Sequence, residues 1–491
     1  MNDQHDCDDR HGQCDPNDPN QQSRQSQQSL KIKELARAVR GPVFLPGAEG
    51  YDEERSGAQT GLRHRPAVIV GADGADDVRV AVEFARDHRL PVAVQATGHG
   101  MSVAAGGGVL ISTRRMSGVR VDAGARTAWL EAGVRWERVV PEAARHGLAP
   151  LNGSAPHVGA VAYTLGGGLG LLSRQFGYAA DLVRTIEVVT ADARLRRITA
   201  DSDPDLFWAL LGGRDNFGVV TGLEIGLLPV TRLYGGGLYF DADLVEDVFQ
   251  SYLRWTRTVP EEMSSSLAVL RLPDVPQIPE PIRGRRVIHV RIAYTGGPAD
   301  GERLLAPLRA VGPRLTDTVE DMPYTACGTI HNDPSRPMAW TGDNVLLSDL
   351  DAPAVRTVLA LTGPDAPVPC IVELRHLGGA LARKPATANA VGHRDAQYLL
   401  GVLSPLGDDF GLDAVQPVHR RLIEALAPWS AGRNLNFMGF GENATAERVR
   451  SAYDPDDYRR LTELKAVFDP ANTFRLNYNV PAAGSGSPAG V

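Results

Sequence analysis

Two glycine-rich loops, far apart in the sequence, hold the residues of this chain that are best suited to chemistry. The first, ATGHG at 96–100, places a single imidazole, His99, between two glycines. The second, GGGLG at 166–170, lies in the densest glycine region of the chain, 152–177. Glycine loops let a ligand approach the backbone closely and can aim N–H groups at an anion. Together, the two loops could hold the pyrophosphate of a dinucleotide from two sides.

Neither loop fits the Rossmann pattern for dinucleotides. In GHGMSV, 98–103, Val103 stands where the third glycine is required. The 166–172 stretch lacks the strand–turn–helix context with an acidic residue about 20 positions further on. On the residues alone, a purely structural role for the lone histidine and for the glycine run therefore stays open.

The elements around the loops predict how they are positioned. Alternating and helical apolar spacings predict a strand at 67–70, a helix at 75–89 and a strand at 91–96, which runs directly into the His99 loop. The 152–177 stretch is predicted to be a loop.

Further along, the pattern changes to strands flanking a helix at 244–258. The strand at 285–296 alternates cleanly and is predicted to be half-exposed, with His289 and Arg291 on its exposed face. Two more strands are predicted at 370–379 and 396–404.

Length, charge and composition argue against several classes of function. The chain has 491 residues, too many for one hydrophobic core, and its formal net charge of −8 argues against nucleic-acid binding. Its four cysteines and twelve histidines form no CxxC or HExxH spacing, so we expect no disulfide framework and no metal site. No run of 18 apolar residues suggests a membrane span. We predict a disordered leader at 1–29 without an export signal, and expect a cytoplasmic protein.

Four motifs in order resemble one enzyme family. They are ATGHG, VGAVAYTLGGGLGLLSRQFG, DPDLFWALLGGRDNFGVVT, and the C-terminal stretch that ends in FDPANTFRLNYNV. This set is similar to the FAD-linked oxidases of the vanillyl-alcohol oxidase / p-cresol methylhydroxylase superfamily, in particular the berberine bridge enzyme-like group. The likeness covers about 60–232 and 431–480 and is weaker between.

The resemblance implies an α+β fold. We expect an FAD-binding domain of two subdomains (PCMH-type) at 30–232 and an inserted substrate-binding domain at 233–430, with an antiparallel sheet covered by helices. A C-terminal segment, 431–481, would return to complete the FAD domain, and 482–491 would form a flexible tail.

The resemblance also implies which residues bind FAD. His99 matches the histidine that bonds covalently to the flavin in relatives, whereas Ala155 replaces the cysteine of the second covalent link, so we expect one bond, through His99. The other implied contacts are Ala96, Thr97, Gly98, Gly100, Met101, Gly153, Val158, Gly159, Gly166, Gly167, Gly168, Gly170, Gly218, Val220, Asn477, Asn479 and His157, which could equally be a local packing residue.

Relatives transfer a hydride from a C–H bond next to oxygen or nitrogen to flavin N5, while a base removes the O–H or N–H proton. Val158 matches a residue associated with oxygen access, which favours an oxidase that reoxidises with O₂ to give H₂O₂. Two tyrosines common in relatives are Leu169 and Phe437 here. Candidate catalytic groups are therefore Glu373, His376 and, on the next strand, Tyr398. Alternation places Glu373 and Arg375 on one side and His376 on the other.

Three functions stay open at this point. The first is an oxidase that acts on a small organic molecule of secondary metabolism or a sugar-like compound. The second is a flavin dehydrogenase that uses another electron acceptor. The third is a flavoprotein that sequesters a small molecule without turnover. Substrate identity stays open as well, and we expect a monomer or homodimer with no nucleic-acid or membrane partner.

Overall fold

The computed structural model describes residues 31–484. The predicted leader, 1–29, and most of the predicted tail, 482–491, lie outside these residues. A helix at 31–38 (α1) comes first, and the short helix α2, Tyr51–Glu54, follows.

A small sheet begins the fold and carries the first glycine loop. It has four strands in the order β1–β2–β4–β3, of which the last three are parallel, and they are β1 (Val43–Phe44), β2 (Val68–Gly71), β3 (Val92–Gln95) and β4 (Val109–Ser112). Helix α3, Ala75–Asp87, packs on it through Val78, Ala81, Val82 and Ala85. The predicted strand–helix–strand unit before His99 is therefore confirmed.

A second, antiparallel sheet of five strands follows in the order β5–β6–β9–β7–β8. Its strands are β5 (Val119–Asp122), β6 (Thr127–Glu131), β7 (Val183–Val189), β8 (Leu195–Ile198) and β9 (Val219–Gly226). Its helices are α4 (Trp136–Ala144), α5 (Ala160–Leu165), α6 (Ser173–Phe176) and α7 (Pro204–Gly213). Because α5 and α6 lie within 152–177, our prediction of one long loop there was wrong. The apolar residues of the AVAYTL segment form a buried turn of helix beneath the glycines.

A nine-stranded antiparallel sheet makes up the middle of the chain. Its main path runs β13–β10–β12–β11–β16–β17–β15–β18, and β14 pairs with β10. The strands are β10 (Arg232–Asp241), β11 (Met263–Arg271), β12 (Arg286–Tyr294), β13 (Arg314–Asp317), β14 (Glu320–Pro323), β15 (Trp340–Leu347), β16 (Ile371–His376), β17 (Tyr398–Pro405) and β18 (Ser430–Gly432). Four helices cover one face, α8 (Val245–Thr256), α9 (Pro298–Arg309), α10 (Ala352–Thr362) and α11 (Leu412–Ala425).

The opposite face of this sheet turns toward the first two sheets. Our prediction of a half-exposed strand at 285–296 was wrong, because β12 lies inside the sheet and both of its faces are covered. His289 is 2% exposed and Arg291 7% exposed. The expected α+β class, with an antiparallel sheet covered by helices, is confirmed.

The C-terminal segment returns to the first part of the chain. After β18 come α12 (Ala446–Arg450) and α13 (Pro455–Phe468), which pack into the core of the second sheet through Val449 and Leu461. The buried Lys465 donates from Nζ to the carbonyls of Asn216 and Phe474 and to Asp469. The segment after α13 is thereby fixed beside the second sheet. The domain bounds given above stay predictions.

Candidate active site

A cavity with a volume of 280 Å³ lies where the first glycine loop, the second loop and the C-terminal segment meet. Its walls come from Val94–Ser102, from Arg214 and Asp215, and from Leu476–Tyr478. The second loop and α5 contribute Gly153, Ser154, Ala155, Val158, Gly159, Ala162, Tyr163 and Leu169. Two residues of the nine-stranded sheet, Trp340 of β15 and Arg375 of β16, close it on the remaining side together with Asn436 and Phe437. Distant parts of the sequence thus build one site.

His99 lies in this cavity directly after β3. Gly98 has a φ of +69°, and a Cβ there would stand 2.7 Å from the Cα of Gly57, so the turn requires glycine. The hydroxyl of Thr97 lies 2.7 Å from His99 Nδ1, and the ring of His157 lies 4.9 Å from the His99 ring. Burial, assisted by His157 and Arg135, lowers the pKa of His99 to about 4. The imidazole is therefore neutral near pH 7 and keeps a lone pair for bond formation.

The glycines of the second loop make room for an aromatic ring. A Cβ on Gly153 would stand 2.9 Å, and one on Gly168 2.6 Å, from carbons of the Tyr163 ring. A Cβ on Gly170 would lie 2.7 Å from the Tyr163 hydroxyl and 2.0 Å from the carbonyl oxygen of Asn152. Tyr163 itself lines the cavity, and burial raises its pKa above the usual range, so it is a neutral phenol and a donor.

Three buried polar atoms on the wall lack hydrogen-bond partners among the described residues. They are the Tyr163 hydroxyl, Gln95 Oε1 and Asn477 Oδ1. Buried polar atoms without partners are costly, so the cavity fits a ligand that supplies them. The two amide oxygens suit the N–H and O–H donors of a flavin and its ribityl chain, and the Arg214 guanidinium, 3.3 Å from the Gly100 carbonyl, suits a phosphate. The residues present therefore fit FAD.

The structure brings many of the predicted cofactor residues together and leaves others aside. The cavity is lined by Ala96, Thr97, Gly98, His99, Gly100, Met101, Gly153, Val158, Gly159 and Asn477. It is not lined by His157, Gly166, Gly167, Gly168, Gly170, Gly218, Val220 or Asn479.

Packing explains why several of these residues do not line the cavity, and their cofactor roles stay predictions. A Cβ on Gly166 would meet the Asn436 side chain, and one on Gly218 would stand 2.6 Å from the carbonyl oxygen of Val189. Val220 packs in the hydrophobic core of the second sheet. These glycines give space to protein atoms, as Gly168 and Gly170 do around Tyr163.

The three candidate catalytic residues lie outside this cavity. The carboxylate of Glu373 pairs with Arg291 at 2.5 Å and with Arg375 at 2.9 Å. Although burial alone raises its pKa, Arg375 and Arg291 lower the pKa of Glu373 below its usual value, which makes it a poor base. His376 lines a smaller recess behind the cavity.

Tyr398 does not line the cavity, and its catalytic role stays a prediction. Its side chain lies on the helix-covered face of the sheet, and its hydroxyl is 2.7 Å from that of Thr256. The residue is the first of β17, and alternation along that strand sends its side chain into the helix layer.

The functional residues that sequence reasoning missed are Gln95, Tyr163, Arg214 and the cavity-lining role of Arg375. The guanidinium of Arg375 lies 4.9 Å from the ring of Phe437. The position of Tyr163 inside the glycine motif was a usable signal, since a phenol beside glycines has room to lie flat against a loop. Arg214 follows a kinked helix end and has a φ of +56°, which no residue pattern indicated.

Comparison with known proteins relates the chain to FAD-linked enzymes. Residues 66–199 match the FAD binding domain family and residues 435–481 match the berberine and berberine-like family. The chain is 28% identical to (R)-6-hydroxynicotine oxidase of Paenarthrobacter nicotinovorans, over 91% of this chain and 98% of that protein.

Solved structures of other proteins share this fold. The crystal structure of 6-hydroxy-D-nicotine oxidase from Arthrobacter nicotinovorans superimposes with a TM-score of 0.77 at 25% identity, over 90% of this chain and 98% of that one. Xylooligosaccharide oxidase from Myceliophthora thermophila, at 18% identity, shares the fold with a TM-score of 0.81, over 92% of this chain and 99% of that one.

Residues 31–484 lack two further features. They contain no cluster of three or more His, Cys, Asp or Glu side chains arranged to hold a metal ion. None of their helices is both long and apolar enough to cross a bilayer.

Proposed function

Because this chain belongs to the berberine-like FAD-linked oxidoreductases, we propose that it is an oxidase of a small organic substrate. The substrate would give up a hydride from a C–H bond next to oxygen or nitrogen, with O₂ as the final electron acceptor and H₂O₂ as the product. The observation that carries this proposal is the cavity around His99, whose buried unpartnered polar atoms fit FAD.

The residues of the chain have distinct parts in this reaction. Bound FAD would supply a two-electron acceptor for the hydride. Gln95 and Asn477 would accept hydrogen bonds from it, and Arg214 would neutralise phosphate charge. Tyr163 would donate its free hydroxyl to charge that builds up in the cavity, and Arg375 would place a fixed positive charge at the sheet side. Glu373 acts through Arg375 and is a positioning residue.

We propose that His99 carries the covalent bond to FAD. Its neutral, buried imidazole supports this role, and the absence of a cysteine at Ala155 supports a single bond. Acid precipitation of the purified protein should leave the yellow colour in the pellet. In His99→Ala the colour should move to the supernatant, whereas His157→Ala, with its ring only 4.9 Å away, should keep it in the pellet.

Three results of this experiment would distinguish between failure of the covalent bond, failure of its assignment to His99 and failure of the proposed function. Colour in the supernatant of the unaltered protein would mean non-covalent FAD, with His99 as a loop residue only. Colour retained by His99→Ala would place the bond elsewhere. A colourless protein that FAD cannot reconstitute would refute the proposed function.

Oxygen as the acceptor is supported by Val158, which lines the cavity. Photoreduced protein mixed with air-saturated buffer should regain its oxidised spectrum rapidly. Val158→Leu should slow this step, while Val94→Leu, the same added methylene elsewhere on the wall, should change it little. Slow reoxidation of the unaltered protein would favour the dehydrogenase alternative.

The non-catalytic alternative is favoured by Leu169 and Phe437, which line the cavity as apolar side chains at positions where relatives have phenols. A sequestering protein would bind a ligand tightly and show no loss of flavin colour under anaerobic conditions. Anaerobic bleaching by any one substrate would exclude it.

A further inference from the structure

A second, smaller recess lies behind the flavin cavity. Its volume is 30 Å³, and it is enclosed by the second glycine loop, by α6 and by strands β11, β12 and β16. Leu169 and Arg375 line both spaces, so the recess adjoins the flavin cavity. A cavity needs about 10–15 Å³ to hold one water, so the recess has room for roughly two waters or one carboxylate group.

The recess is strongly positive. Three arginines, Arg174, Arg291 and Arg375, line it. Arg291 and Arg375 share the single carboxylate of Glu373. Arg174 is 6% exposed and donates to the backbone carbonyls of Leu377, Pro260 and Met263, and no carboxylate of the described residues lies within 4 Å of it. Among the described residues, Glu373 is the one carboxylate that forms direct ion pairs with these guanidinium groups, and it pairs with two of the three. Glu261 and Glu262 also act on Arg174 but do not line the recess. Because buried positive charge is costly without a partner, the recess favours an anion.

The recess also holds buried ring nitrogens without partners. Nδ1 of His331, whose side chain is 5% exposed, makes no hydrogen bond with any described residue, and its nearest acidic oxygen is Glu373 Oε1 at 3.7 Å. Nδ1 of His376 is unpartnered in the same sense. Burial, with Arg291 and Arg375 adding to it, lowers the pKa of His331 well below its ordinary value. The neutral imidazole can donate one hydrogen bond to an anion.

We propose that this recess binds the carboxylate of an acidic substrate, an inference that rests on the proposed function. Binding there would hold the carbon that is oxidised over the flavin cavity. The guanidinium of Arg375 would pair with that carboxylate at the point where the two spaces meet. Ser264, which also lines the recess, would add a hydroxyl donor, whereas the Ser266 hydroxyl donates to Glu373 at 3.2 Å. The substrate class is then a carboxylic acid that carries the oxidised C–O or C–N group a short distance from the acid.

Acetate and its neutral isostere acetamide test this inference on the flavin-loaded protein. Acetate should give a saturable change in the flavin spectrum and raise the unfolding temperature, and acetamide should do neither. Arg375→Gln should weaken acetate binding about 10- to 100-fold, since it removes a charge-assisted pair. Arg232→Gln, an exposed arginine paired with Asp321 outside the recess, is the matched control and should bind acetate normally.

A second variant keeps the test valid if Arg375→Gln does not fold. Ser264→Val fills the recess and leaves the arginines and Glu373 in place, so it should also abolish the acetate response. Equal responses to acetate and acetamide, no response to acetate, or an unchanged response in both variants would overturn the inference. Any of these results with flavin still bound would leave the proposed oxidase function standing, whereas loss of that function appears as an absence of flavin.

Discussion

Replacement of Lys465 would test whether one buried charge fixes the C-terminal segment to the flavin site. Its side chain is completely buried, and its three donors go to the Asn216 carbonyl at 2.6 Å, Asp469 at 2.8 Å and the Phe474 carbonyl at 3.1 Å. Lys465→Met would leave the buried Asp469 carboxylate without its cation and orphan both carbonyls. Breaking a buried pair from one side costs about 3–5 kcal/mol.

At roughly 2 °C per kcal/mol for a unit of this size, that loss predicts an unfolding temperature about 6–10 °C lower. Thermal unfolding followed by tryptophan fluorescence measures it, and flavin fluorescence reports when the cavity opens. Asp469 also accepts from the backbone N–H groups of Thr473 and Phe474, so Lys465→Met with Asp469→Asn removes the stranded charge and keeps an acceptor. The double variant should therefore be more stable than Lys465→Met alone.

The exposed Lys384 provides the control, since Lys384→Met should change stability by less than about 0.5 kcal/mol. The reasoning fails if Lys465→Met unfolds close to the unaltered protein, or if the double variant is no more stable than the single one.

Three further predictions follow from the cavity and the buried histidines. Gly170→Ala should lose bound flavin, seen as visible absorbance per protein, because its Cβ would stand 2.0 Å from the Asn152 carbonyl oxygen; a full flavin content would contradict this. Tyr163→Phe should change stability by less than about 0.5 kcal/mol, since the hydroxyl has no partner among the described residues, yet should slow flavin reduction by substrate. Burial lowers the pKa of His64 and of His419 from 6.5 to about 4. Their contribution to stability is therefore present above pH 6.5 and lost as the pH falls toward 4, and His419→Gln should flatten urea midpoints measured across that range.

Local pattern was sufficient to predict the first glycine loop. The apolar spacing of 75–87 and the short buried strands on either side left one arrangement, and it placed His99 at the end of β3. The prediction from sequence pattern failed where residues outside the sheet cover a strand. Alternation in β12 is typical of a half-exposed strand, but the second glycine loop, α6 and His331 lie beside its polar face, and Arg291 is buried against Glu373.

Glycine content also could not show whether the second loop makes room for a bound ligand or for an aromatic side chain of the protein itself. Gly168 and Gly170 have the composition of a phosphate loop, yet they give space to Tyr163, and only the packing of the second sheet decides this. Arg214 and Arg375 reach one cavity from a helix end and from a strand, 161 residues apart in sequence (375 − 214), so no spacing rule connects them.

Because the C-terminal segment supplies one wall of the cavity, the order of translation determines when the cavity can form. His99 is translated 377 residues before Leu476 (476 − 99), the first residue of the last cavity wall. At about 5–20 residues per second, the nascent chain carries an open, one-sided cofactor groove for roughly 20–75 s. The cavity can therefore close only after the middle sheet has been translated, and until then the core of the second sheet lacks the apolar side chains of Leu461, Tyr478 and Val480.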